Sequence, residues 1–137
     1  MADERAIVER REIPVMFRRT SDAQEAIART WAEVETAVGL LKGRKFYGAF
    51  HVTTNEYWVC VQRRDDDDPG ALGLEEGTLP GGRYATERLE GDPPAVYGLI
   101  KPTVDRLAEQ RSDEDASRPS IEFYRRHDVI DLFLPIV

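Results

Sequence analysis

The chain has 137 residues, 41% of them hydrophobic and 33% charged, with a net charge of −7. That suits one globular domain with one core, and the absence of a basic run excludes general nucleic-acid binding through phosphates. No apolar run nears the roughly 20 residues of a membrane-spanning helix, "MADERAIVER" lacks the start of a signal peptide, and the single Cys60 permits no intrachain disulfide, so a reducing cytoplasm is the expected compartment.

Residues 6–19, "AIVERREIPVMFRR", carry β-branched residues and Pro14. They are predicted to form one extended, edge-type strand, because proline cannot donate to a central ladder. Thr20 or Ser21 can cap the next element, a helix expected to run to Lys42 before Gly43. Ile27, Trp31, Val34, Val38 and Leu41 recur at spacings of four, three, four and three, one face of an amphipathic helix. "KFYGAFHV" and "EYWVCVQRR" follow as a hairpin closed by Thr53-Thr54-Asn55. "DDDDPGALGLEEGTLPGG" reads as a loop of acids, glycines and prolines.

The order then repeats. "RYATERLEG", 83–91, is a predicted strand, and Asp92 with Pro93 can open a second helix. Val96, Tyr97, Ile100, Val104 and Leu107 give that helix an apolar face, and Pro102 is expected to kink it or delay its start. "PSIEFYRR" and "VIDLFLPI" close the chain as a hairpin around His127-Asp128. The expected class is α+β. Strand–helix–strand–strand modules at about 6–64 and 83–136 would form one pseudo-twofold domain over residues 1–137, with a central cleft.

Alternation puts Ile121 and Phe123 on one face of a strand and Glu122 and Tyr124 on the other. If Ile121 and Phe123 pack under a helix, Glu122 and Tyr124 point into the cleft on the opposite, concave face. Strand glutamates are usually solvated, and Arg125 or Arg126 could pair with this one. The same alternation separates Trp58 from Tyr57; the longer apolar run places Tyr57 under a helix and Trp58 in the cleft. Tyr47 lies on the same hairpin, and Trp31 and Tyr97 sit on the helix faces as candidate rim residues. His51, His127 and Cys60 lack metal-ligand spacing. Asp65–Asp68 lack the spaced ligands of a calcium loop. Gly81-Gly82 opens no helix and is not a phosphate cradle. No metal and no cofactor are expected.

"LPGGRYATERLEGDPPAVYGLIKPTVDRL", "RPSIEFYRR" and the closing "DLFLPIV", in this order over nearly the whole chain, resemble the GyrI-like small-molecule-binding domain. That domain is also the effector-binding module of AraC-type and MerR-type multidrug regulators. The resemblance implies two pseudo-symmetric halves around a cleft, with a glutamate among aromatic rings facing lipophilic, often cationic ligands. Glu122 matches that glutamate, with Tyr124, Trp58, Tyr47, Trp31 and Tyr97 as candidate ligand-binding residues. About 20 residues precede the first helix, too few for a helix-turn-helix, so a stand-alone form is expected. The resemblance implies two other functions. One is hydrolysis of strained cyclopropane-bearing electrophiles with Glu122 as general base. The other is a gyrase-inhibitor-type protein interaction. The sequence sets neither the ligand nor the oligomeric state.

Overall fold

A computed structural model describes residues 7–137. Eight strands form one antiparallel sheet: β1 (Ile7–Arg10), β2 (Ile13–Ser21), β3 (Phe46–His51), β4 (Glu56–Gln62), β5 (Glu75–Leu79), β6 (Gly82–Glu90), β7 (Ser120–Arg126) and β8 (Val129–Pro135). Helix α1 spans Gln24–Val38. A short 3-10 helix, Ala95–Leu99, leads into α2, Ile100–Glu109. The class is therefore α+β, as the element pattern predicts.

The strand order is β1-β6-β8-β7-β3-β4-β2-β5. From the β3–β7 seam outward, each side gives the same sequence of positions: β3, β4, β2 on one side and β7, β8, β6 on the other. That order is compatible with a duplicated strand–helix–strand–strand unit. The two outermost strands are exchanged. β1 precedes β2 in the chain but pairs with β6, and β5 precedes β6 but pairs with β2. Each switch happens within two residues, Arg11-Glu12 and Pro80-Gly81, so the two ends of the sheet are drawn together and the sheet curls into a half-barrel. At the crossing, a Cβ on Gly81 would lie 2.8 Å from the Arg10 carbonyl oxygen and 2.9 Å from the Glu12 nitrogen, so only glycine fits. Arg118 staples the same corner. It donates to the carbonyls of Gly81, Arg83 and Ile136 and to Asp115, and lies over the Tyr84 ring.

Several element boundaries differ from expectation. The predicted strand at 6–19 is two strands, and Pro14 sits in β2, one strand in from the edge. It lies before the β2–β4 ladder begins at Val15, where its missing N–H costs least. Neither Thr20 nor Ser21 caps α1; β2 continues to Ser21 and the residue before the helix is Ala23. The helix stops at Val38, before Gly39, so Leu41 lies outside it and is half exposed. Asp92-Pro93 opens no α-helix. α2 starts at Ile100, which puts Pro102 in the first turn, where its missing N–H had no partner to lose. The acidic, glycine-rich stretch hides β5, held by β2 alone. Within the aspartate run, Asp67 accepts from Arg44 and from the Arg64 backbone, so it is partly structural.

Both faces of the sheet are buried. α1 covers Met16, Tyr57, Val59 and Val61, and α2 covers Ala85, Leu132 and Leu134. The face without helices closes on itself: Val15, Tyr47, Cys60, Leu79, Tyr84, Ile121 and Phe133 form one cluster, each at most 6% exposed. Residues from both ends of the sheet meet there, which is what the curl achieves. Burial of this second face removes a similar apolar surface from water without any covering layer. Ile121 and Phe123 therefore pack inside the half-barrel and not under a helix. Glu122 and Tyr124 lie on the helix-bearing face, the reverse of the expectation. Apolar alternation cannot tell the two faces apart when both are filled.

Candidate functional site

Glu122 lies at the seam where the halves meet, paired across β3–β7 with Gly48. It is 8% exposed. The Tyr57 hydroxyl donates to Glu122 Oε1 at 2.6 Å, and the Tyr124 hydroxyl donates to the same oxygen at 2.7 Å. Among the described residues, Oε2 accepts no bond and no lysine or arginine pairs with the carboxylate. Neither Arg125 nor Arg126 reaches it; Arg125 bonds Asp131 on the other face. Burial pushes the Glu122 carboxyl above its ordinary value. The two hydroxyl bonds pull it back only in part, and the charge of Asp22 adds to the rise. Burial, then the neighbouring Glu122 charge, pushes both tyrosine hydroxyls well up, so both remain donors.

Tyr57 reaches Glu122 because of Gly48. A Cβ at Gly48 would stand 1.9 Å from the Tyr57 hydroxyl oxygen and 2.7 Å from Glu122 Oε1. The tyrosine lies flat across the backbone of the intervening strand, in space only glycine leaves open. On the Tyr124 side, rings close around the site. Trp31 from α1 stands edge-on to Tyr124 at 5.0 Å, Tyr97 from the 3-10 helix at 6.2 Å, and Phe46 lies 5.9 Å from Trp31. On the Ser120 side, Glu122 opens on a cavity of about 150 Å³ walled by Phe50, Val52, Tyr57, Ile100, Val104 and Leu134.

Of the six residues expected at the site, the structure brings four together: Glu122, Tyr124, Trp31 and Tyr97. The other two lie on the opposite face. Trp58 stacks on Phe17 at 3.8 Å and Tyr47 on Phe123 at 4.9 Å, both within the half-barrel. Tyr57 takes the place expected of Trp58. It is indeed under α1, but the cleft lies on that same face. Gly48, Phe46 and Phe50 went unrecognised; a glycine opposite a glutamate in register shows only once strand pairing is known.

A larger groove, about 950 Å³, lies at the end of the helix-free face, lined by Arg10, Lys45, Tyr47, Arg88, Asp131 and Phe133. Its buried carboxylate, Asp131, is bracketed by Arg88 and Arg125. Among the described residues Glu122 has no such counter-charge, and for that reason the smaller cleft is the stronger candidate. Burial pushes the Cys60 thiol far up, which leaves it unreactive. Among the described residues, no helix is long and apolar enough to cross a membrane.

No family model matches the sequence, and no curated protein matches it. Solved structures do. An integron cassette protein from the mobile metagenome of Vibrio cholerae is 19% identical, with 96% of this chain and 94% of that one covered and a TM-score of 0.76. SAV2435, solved bound to tetraphenylphosphonium, is 14% identical, with 96% and 92% covered and a TM-score of 0.69. A hydrolase from Listeria innocua is 15% identical, with 96% and 90% covered and a TM-score of 0.51. At these identities the likeness is one of fold: this chain shares the fold of the integron cassette protein and of SAV2435, and that architecture is compatible with the resemblance to the GyrI-like domain.

Proposed function

We propose that the protein binds lipophilic cations in the cavity bounded by α2 and the β3–β7 seam, with Glu122 as the counter-charge. One observation carries the reading: Glu122 is a buried carboxylate with two hydroxyl donors and no cation among the described residues. Such a group is costly to keep ionised, and a positive ligand offsets that cost where a neutral one cannot. The rings of Phe50 and Tyr57, which line the cavity, add cation–π attraction of about 0.5–2 kcal/mol each where a cation meets a ring face. The cation held by one structural neighbour agrees with this chemistry.

The test compares benzyltrimethylammonium with its uncharged carbon isostere, neopentylbenzene, by titration on wild type and Glu122→Gln. The cation should bind wild type more tightly, by about ten- to a hundredfold, the worth of a charge-assisted interaction of roughly 1.5–3 kcal/mol. Glu122→Gln should remove most of that advantage and leave the isostere unaffected. Binding should also weaken as pH falls through the raised value of Glu122, because the protonated acid offers no charge. An equal advantage on the variant would show that the cation binds elsewhere.

The same geometry supports a second reading, hydrolysis of an electrophilic small molecule. Tyr57 and Tyr124 occupy Oε1 and leave Oε2 toward the cavity, where a carboxylate of raised basicity could take a proton from water. Turnover of a cyclopropane-bearing electrophile that disappears in Glu122→Gln while binding persists would favour it.

A further inference from the structure

We infer that the preferred ligand is a slender dication, with one cationic group at Glu122 and a second at the acidic rim formed by Asp22, Asp105 and Glu114. This rests on the reading of Glu122 as a cation site. All four carboxylates line the one cavity. Lys101 and Arg118 are the basic residues that line it. Arg118 is committed elsewhere, to Asp115 and to three backbone carbonyls. Asp22, Asp105 and Glu114 form no ion pair among the described residues. The cavity is thus left with four carboxylates against one uncommitted lysine.

The arrangement is ordered from inside to outside. Glu122 is 8% exposed and presents an oxygen with no partner among the described residues. The three rim carboxylates are exposed. The same cavity has apolar walls, among them Phe50, Ile100, Val104 and Leu134. Asp22 is near enough for its charge to be felt at Glu122. A ligand that answers this order has a cation at its inner end, an apolar middle and a second cation at its outer end. Width follows from volume. A cavity of about 150 Å³ is the size that admits a benzene ring. An alkyl chain or a single ring fits it; a cation bearing four rings requires the walls to move.

The experiment is calorimetric titration at pH 7 and fixed salt with 1,6-diaminohexane and with hexylamine. Both are fully protonated there, since alkylammonium groups titrate near 10.4. Wild type should bind the diamine more tightly by roughly two- to fivefold, the scale of exposed ion pairs. The double variant Asp22→Asn, Asp105→Asn changes only exposed side chains. It should bring the ratio close to one, chiefly by weakening the diamine, and a urea denaturation midpoint at the wild-type level would report an intact fold. Glu122→Gln should weaken both amines. Equal binding of the two amines to wild type, with hexylamine still dependent on Glu122, would overturn the dication inference and leave the cation site standing. A diamine preference that survives the double variant would overturn it too, and would assign the preference to the general negative charge of the chain. If neither amine nor benzyltrimethylammonium binds, the cation site itself fails and the inference with it.

Discussion

Gly48→Ala is the smallest change that should disable the site. The added methyl carbon would stand 1.9 Å from the Tyr57 hydroxyl and 2.7 Å from its ring carbon Cζ. Ordinary contact needs roughly 3.5 Å, so the ring tip must move by more than about 1 Å. Tyr57 is 4% exposed and packed beneath α1, so it has little room to retreat. Any such movement breaks its 2.6 Å bond to Glu122. A hydrogen bond to a charged group is worth about 1.5–3 kcal/mol, while alanine in a strand otherwise gains about 0.5–1 kcal/mol over glycine. The net expectation is a loss of about 1–2 kcal/mol, read by urea denaturation at neutral pH with tryptophan fluorescence. With one lowering influence removed, the Glu122 carboxyl should also titrate higher than in wild type. The double variant with Tyr57→Phe should show a smaller increment for the Gly48 change, because the bond is already gone. A Gly48→Ala protein as stable as wild type would mean that Tyr57 does not lie across β3, and the geometry of the site would be wrong.

Glu122→Gln keeps an acceptor for both tyrosines and removes a buried charge. The folded-state value of Glu122 is raised above 4.5, so its contribution to stability is present below the unfolded value and lost as pH rises through the folded one. The Gln variant should therefore gain on wild type in melting temperature above that range and lose its advantage in acid; a deficit at neutral pH that disappears in acid would place Glu122 in a structural ion pair. Ile121→Ala, at a site 2% exposed inside the half-barrel, should cost about 2–5 kcal/mol in chemical denaturation. Arg118→Ala should cost about 1–3 kcal/mol by leaving partly buried carbonyls at the strand crossing without their donor. Arg118→Lys should not rescue it, since one ammonium cannot span the acceptors that several guanidinium nitrogens reach; full recovery by lysine would show the role to be one of charge alone.

What the sequence made legible was local. The α1 stripe, both hairpins and the delayed start of α2, at Ile100 with Pro102 in its first turn, each follow from spacing or from one residue's missing donor. The pairing of Glu122 with Tyr124 on one face is simple alternation, and it holds. What failed was the assignment of that face. It relied on the idea that an apolar strand face needs a helix over it. In this chain the strand exchange through Arg11-Glu12 and Pro80-Gly81 curls the sheet, so Ile121 and Phe123 are buried by other strands. The same misreading carried Trp58 and Tyr47 into the expected cleft and kept Tyr57 out. Strand β5 was hidden because "EEGTL" has little β-forming character; pairing with β2 supplies what the residues lack.

The seam explains why the site needs both halves. Gly48 and Tyr57 come from the first unit, Glu122 and Tyr124 from the second, and Trp31 and Tyr97 from the two helical segments that flank them. Within the second unit alone, Glu122 would keep Tyr124 as a donor and lose Tyr57, along with the strand that buries it. The carboxylate would then be solvated, which is the usual state of a strand glutamate and gives no preference for a cation. Joining the units desolvates Glu122 and supplies two neutral donors, but among the described residues no cation pairs with it. Two hydroxyls hold the carboxylate in place without neutralising it. The fold thereby leaves Glu122 buried on two neutral donors, without a cationic partner among the described residues.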